Sequence, residues 1–258
     1  MASSVSTWPN FMKRALFIDH DHITNGGLIQ RQFEARGYEV TKFLVVPEAS
    51  YNVPNVVATF PDFSNFDVIV PMGAPWGVWE DDRIGNWLLP ELKWLKNVHN
   101  AGIPIFGICF GGQLMARALG GSVARGPKAE VGWYPLMSDD QSIIPNGPWF
   151  QYHWDRWVTP KGATEIARTP IASQAFTMGR TLGLQFHPEV NIDVLNSWLS
   201  LESGCVEVEG EGLNLEILRA QTIAEEPSAN IRAINLVNYF LKSIASADIK
   251  PVQLHKWL

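Results

Sequence analysis

Two cysteines in 258 residues, Cys109 and Cys205, are too few and too far apart for a disulfide framework, so the chain reads as a protein of a reducing compartment. Long apolar runs are missing as well. No segment offers the roughly 18 unbroken apolar residues that a spanning helix needs. The opening MASSVSTWPNFMKR lacks the apolar stretch behind basic residues that marks a secretory leader. Positive charge is also in short supply: 20 Lys and Arg stand against 26 Asp and Glu, with a formal net charge of -6. No dense basic block occurs, which excludes a nucleic-acid partner held mainly by phosphate neutralisation. There is no repeat and no low-complexity linker. These absences predict a cytoplasmic protein with neither a membrane nor a nucleic-acid partner.

What is present alternates between two periods. RALFID (14–19) is a β-type run, HDHITNGG a polar loop with glycines, and LIQRQFEARG a helix that stops at Gly37. YEVTKFLV and FDVIVPMGAP supply two more strands. IGNWLLPELKWLKNVHNAG carries apolar residues at helical spacing, IPIFGIC is a fourth buried strand, and QLMARALGG is a helix with a Gly-Gly stop. This order predicts an α/β fold, a mostly parallel sheet flanked by helices, with function gathered at the carboxyl ends of the strands. From Ser122 to Gln185 the pieces shorten (SVARG, VGWYPL, TEIAR, QAFTM, LGLQF), which predicts an antiparallel β extension. LNLEILRAQTIAEE and ANIRAINLVNYFLKSIA read as two closing amphipathic helices, and GCVEVEGEG around Cys205 as a mobile loop. A single domain is expected over 14–245, with an N-terminal extension at 1–13 and a C-terminal tail at 246–258.

GICFGGQ (107–113) places a cysteine between glycines where a strand hands over to a helix. A sharp strand-to-helix turn brings the residues two before and two after its apex close together, and Gly107 and Gly111 hold those positions around Cys109. The spacing is that of a nucleophile elbow with a thiol in place of a hydroxyl. A helix N-terminus favours the thiolate and offers N–H groups to a developing oxyanion. The other reading of the heptapeptide is a small buried core cysteine with glycines for close packing. LGLQFHPEV adds what the elbow needs. A β-like run delivers His187, Pro188 ends the ladder, and Glu189 follows where its carboxylate can turn back to the imidazole. Such a histidine deprotonates a thiol and later protonates a leaving amine, while the carboxylate fixes its tautomer.

Together GICFGGQ and GLQFHPEV resemble the class I glutamine amidotransferase family, whose signatures are G-x-C-x-G-x-Q and a later H-P-E. The resemblance covers roughly Arg14 to Val190 and implies the family's α/β fold with a flavodoxin-like core. It implies Cys109 as nucleophile, His187 as general base and acid, and Glu189 as the orienting carboxylate. It places oxyanion-hole N–H groups at Gly73 or Ala74, in the PMGAP loop, and at Phe110. Gln113 matches a residue that holds the amino-acid end of the substrate. VGW (Val131, Gly132, Trp133) resembles the family's substrate-facing strand, and QYHWD its H-x-D element, which makes His153 and Asp155 candidates for substrate contact. For His153 a purely structural hydrogen-bonding role stands beside that one. Within the family, GAPWGVWED and QYHWDRW resemble the free-standing relatives of the glutaminase half of GMP synthase, since only about 70 residues follow His187.

The family's chemistry implies hydrolysis of a γ-glutamyl amide through a γ-glutamyl thioester, without cofactor or metal. His20, His22, His99 and His255 show no zinc spacing, and HDH reads as a solvated strand-end loop. Eight of the eleven tryptophans lie between Trp76 and Trp157. Trp87 and Trp94 fall at helical spacing and read as core; Trp76, Trp79, Trp133 and Trp154 flank site elements and read either as core or as an aromatic wall. A wall favours a self-sufficient hydrolase whose leaving amine is bulky or aromatic, as in a γ-glutamylanilide. The alternatives are a glutaminase subunit that supplies ammonia to a separate synthase partner, and a non-catalytic γ-glutamyl sensor. Cys205, in its acidic stretch, is expected to carry no chemistry.

Overall fold

The structure, a computed structural model, describes residues 12–145 and 147–247. The expected N-terminal extension as far as Phe11, and the tail from Asp248, lie outside the described residues. In chain order the strands are β1 (Lys13–Asp19), β2 (Tyr38–Leu44), β3 (Val68–Pro71), β4 (Ile105–Ile108), β5 (Ser122–Pro135), β6 (Met137–Ser138), β7 (Pro148–Val158), β8 (Thr164–Arg168), β9 (Ser173–Met178) and β10 (Thr181–Leu184). The helices are α1 (Gly27–Glu34), α2 (Asp81–Asn100), α3 (Phe110–Ala118), α4 (Ile192–Trp198), α5 (Glu202–Gly210) and α6 (Leu215–Tyr239).

Eight strands form one sheet in the order β2-β1-β3-β4-β10-β9-β8-β6. The five from β2 to β10 run parallel, and β9, β8 and β6 extend them antiparallel. LGLQF therefore differs from its expected place: β10 belongs to the parallel half, paired with β4, and only its other edge is antiparallel. The alternation in β1 shows why both faces are covered. Ala15 and Phe17 pack with Leu28, Phe33, Ala233 and Leu236 of α1 and α6, whereas Leu16 and Ile18 pack with Trp87, Leu88 and Leu114 of α2 and α3. A strand buried on both sides must be apolar at every position, and RALFID is so from its second residue.

SVARG and VGWYPL are not separate pieces but one strand, β5, which pairs with β7 in a two-stranded ribbon outside the main sheet. A register shift between Arg125 and Glu130 is what broke the pattern in the sequence. The two expected closing helices are one helix, α6, running through Pro227. A proline removes a backbone donor but does not end a helix whose two halves are both anchored. Here Thr222 on the first half takes a hydrogen bond from Trp133, and Ala229, Ala233, Leu236 and Val237 on the second half are buried in the core. The stretch expected as a mobile loop is mostly helix α5, pinned by the fully buried Val208 and by Tyr152 Oη donating to Glu207 at 2.9 Å. No helix among the described residues is long and apolar enough to cross a membrane.

Candidate active site

Cys109 stands between β4 and α3 with φ 49° and ψ −105°, the one non-glycine residue with positive φ among those described. Such a conformation costs about 1–3 kcal/mol and persists only where neighbours hold it. They do so at very short range. A Cβ on Gly111 would sit 2.0 Å from the carbonyl oxygen of Pro71, and one on Gly107 would sit 2.7 Å from that of Gly111. The Cys109 amide donates to Leu184 O of β10 (2.8 Å), which ties the turn to the neighbouring strand.

The same pair of strands sets the histidine. Gly107 and Gly183 are level in the β4–β10 register, so the chain leaving β10 passes the nucleophile and delivers His187 beyond it. The His187 amide donates to Phe150 O (2.8 Å), and its ring Nδ1 lies 2.7 Å from Glu189 Oε1. A carboxylate only accepts, so Nδ1 carries the proton. Nε2 is buried and makes no hydrogen bond of ordinary geometry among the described residues, yet Cys109 is close enough to act on the ring's charge. Burial works against the imidazolium, but the charges of Glu189 and Cys109 outweigh it and raise the pKa to about 10. The ring also meets Trp198 edge to face, centroids 4.8 Å apart, and Gly73 lies so near that a Cβ there would be 3.2 Å from its Cε1.

Cys109, Phe110, Gly73, Ala74, His187 and Glu189 all line one cavity of about 490 Å³. The amides of Gly73, Ala74 and Phe110 donate to no acceptor among the described residues, so they are free for an oxygen in the cavity. Gln113 lines it as well, its Nε2 donating to Gln185 Oε1 (3.2 Å), and Gln185 Nε2 in turn points at Cys109 Sγ (3.6 Å). Asp155 lines the opposite wall, where Trp79 Nε1 donates to Oδ2 (2.9 Å) while the buried Oδ1 has no partner among the described residues. Burial raises the pKa of this carboxyl, a cost that a cationic ligand would relieve.

The other expected substrate contacts divide. Trp76 lines the cavity but packs mainly on Tyr51 and Trp87. His153 also borders it, yet its ring is engaged internally: Nδ1 donates to Asp155 O (3.0 Å) and Nε2 lies 3.1 Å from Gln151 Oε1. It holds the backbone of Asp155 and has no nitrogen to spare. Val131, Gly132 and Trp133 do not line the cavity, which corrects the expectation of a substrate-facing VGW strand. Val131 turns into the apolar cluster with Val194 and Leu218, and Trp133 packs on Phe150 and donates to Thr222. From β5 the cavity receives Arg125 instead, because the shifted register presents that part of the strand to it. Trp79 and Trp154 do face the cavity.

HDH is the other correction. His20 is fully buried, not solvated, with Nδ1 3.2 Å from Gly73 O and Nε2 3.1 Å from Glu91 Oε1. Neither His20 nor Glu91 carries a motif, and they are 71 residues apart. Tyr152, Trp198 and Glu207 on the cavity wall also lie outside the motifs. Gln185 stands within LGLQF, where nothing in the alternation separates it from an ordinary strand residue.

Comparison with known proteins fits this geometry. The family model for glutamine amidotransferase class-I matches residues 27–199. The separate glutamine-hydrolyzing chain of GMP synthase from Ignicoccus hospitalis is 30% identical over 172 residues, 63% of this chain and 82% of that protein. GMP synthase of Aeropyrum pernix is 40% identical over 114 residues, 39% of this chain and 22% of that protein. The chain thus spans about a fifth of the length of such full synthases. A glutamine amidotransferase crystal structure from Thermotoga maritima superimposes with a TM-score of 0.76 at 26% identity, over 90% of this chain and 99% of that one.

Proposed function

Because the chain belongs to the class I glutamine amidotransferase family, we propose that it hydrolyses a γ-glutamyl amide by itself, with Cys109, His187 and Glu189 as catalytic triad and a bulky or aromatic amine as leaving group. Cys109 sulfur adds to the amide carbon, and the oxygen's developing charge meets the amides of Phe110 and of Gly73 or Ala74. The C–N bond breaks as His187 Nε2–H passes its proton to the amine, leaving a γ-glutamyl thioester. Water then adds to the thioester, giving a proton to the now neutral Nε2, and the sulfur departs as thiolate. Asp155, with its unpartnered oxygen, receives the α-ammonium of the γ-glutamyl group, and Gln113 borders the same end.

The observation that carries this reading is the cavity: a His187–Glu189 pair at 2.7 Å and the Cys109 turn share about 490 Å³ with Tyr51, Trp79, Tyr152, Trp154 and Trp198. The amine departs on the histidine's side, where Trp198 meets the ring at 4.8 Å. Ammonia gains nothing from an aromatic wall; an arylamine does. The second reading, a glutaminase that feeds a separate synthase, is favoured by the similarity to the Ignicoccus glutamine-hydrolyzing chain. The isolated protein distinguishes them. Rapid release of p-nitroaniline from γ-glutamyl-p-nitroanilide with negligible ammonia from glutamine supports the hydrolase. Glutamine turnover that waits for a synthase supports the second reading, and a protein that binds γ-glutamyl compounds without turning any over is a sensor.

A further inference from the structure

We propose that His20, backed by Glu91, is the positioning residue of the oxyanion hole: its imidazole grips the Gly73 carbonyl from below and so aims the Ala74 N–H into the cavity. The inference rests on the triad reading above.

A carbonyl oxygen only accepts hydrogen bonds, so the 3.2 Å contact requires a proton on His20 Nδ1, donated to Gly73 O. Nε2 then faces Glu91 Oε1 at 3.1 Å, both side chains fully buried. Whether the proton between them rests on nitrogen or on oxygen, the pair is neutral overall and the Nδ1–H is retained. A cavity lies on one side of this peptide and His20 on the other. Since a peptide unit is planar and trans, its C=O and N–H point in opposite directions. A carbonyl anchored inward at Gly73 therefore sends the Ala74 N–H outward, and Ala74 lines the cavity beside Cys109.

No other bond among the described residues does this. Sheet-type anchorage ends one residue earlier, where Met72 N donates to Ile18 O (3.1 Å) and Met72 O accepts from Gly111 N (3.0 Å). Residues 73–76 make no backbone–backbone hydrogen bond among the described residues, and the backbone of Gly77 is next held by Glu80. The same imidazole packs against Phe110, centroids 4.8 Å apart, and Phe110 supplies the second amide of the hole. Trp87 closes the remaining side at 5.7 Å. One buried ring thus touches both halves of the site that would receive the oxygen. A hydrogen bond to the carbonyl also polarises the peptide and strengthens its N–H as a donor.

Two double variants test this while leaving no unpaired buried carboxylate. His20→Leu with Glu91→Met removes the donor and replaces the buried pair by apolar groups of similar volume, a change that cores tolerate. His20→Asn with Glu91→Met restores a single N–H near the position of Nδ1. The Leu/Met variant is expected to lose roughly 10- to 100-fold in kcat on γ-glutamyl-p-nitroanilide, with KM and Tm little changed, and the Asn/Met variant to recover most of it. Alkylation of Cys109 by iodoacetamide, which forms no oxyanion, should proceed at the wild-type rate in both. Retained kcat in Leu/Met, failure of Asn/Met to rescue, or an equal loss in alkylation overturns the proposal. If wild type turns over no γ-glutamyl amide, the triad reading fails separately, and the ratios are then read from acylation of Cys109 by p-nitrophenyl acetate.

Discussion

Replacing the sulfur of Cys109 by oxygen leaves the turn intact and removes the one strong nucleophile, so Cys109→Ser is expected to lower kcat/KM by at least about 10³-fold without lowering Tm. Cys205→Ser should change neither: its Sγ faces Leu199 O at 3.3 Å, away from the triad. Burial opposes the charged form of His187, and Glu189 supplies the largest of the contributions that overcome it, so that a pKa of about 10 keeps the ring protonated at neutrality. Activity of the wild type should therefore hold through neutral pH and fall as pH rises through the folded-state value, when the acid for the leaving amine is lost. Glu189→Gln should move that alkaline limb toward neutrality and lower kcat by roughly 10²–10⁴-fold. Stability follows the same sign: a raised imidazole contributes fully below the unfolded value of 6.5, and that contribution disappears as pH climbs through about 10. Denaturant midpoints measured across this window check it. At this scale the sequence was most legible where residues sit close together in the chain. G-x-C-x-G and H-x-E announce themselves by spacing, whereas His20 and Glu91 meet across 71 residues through packing alone.

Elements repeat the lesson with different causes. The strands β1, β3 and β4 and the helix after Cys109 were readable because burial on both faces leaves a continuous apolar imprint and close packing demands glycine. Gly111 is the sharpest case. A methyl there would lie 2.0 Å from Pro71 O, and neither backbone can retreat without breaking β3 or the elbow. Gly111→Ala is expected to destabilise by about 3 kcal/mol or more, measured by denaturant midpoint, with activity lost in any folded fraction. Helix α5 was not readable: three glutamates and two glycines in nine residues look like loop, and what fixes them is Tyr152, Val208 and the neighbouring helix. Likewise Pro227 signals a break in α6 that its burial against the core overrides.

Across the whole molecule, the sheet supplies the triad while the ribbon of β5 and β7, helix α5 and the end of α4 wall the cavity above it. These two parts answer to different demands, chemistry below and leaving group above. Substitution above should therefore change choice of substrate more than rate on all substrates. Trp198→Leu is expected to reduce kcat/KM for γ-glutamyl-p-nitroanilide about ten-fold further than for glutamine, in paired assays on the isolated protein. Nucleophile and imidazole hang from β4 and β10, adjacent strands in the middle of an eight-stranded sheet. Strands so placed are the last to open when a protein is warmed. Heat should accordingly fail to inactivate this protein early: residual turnover and amide-proton retention in β4 and β10 should decay together, at the same temperature as the molecule itself.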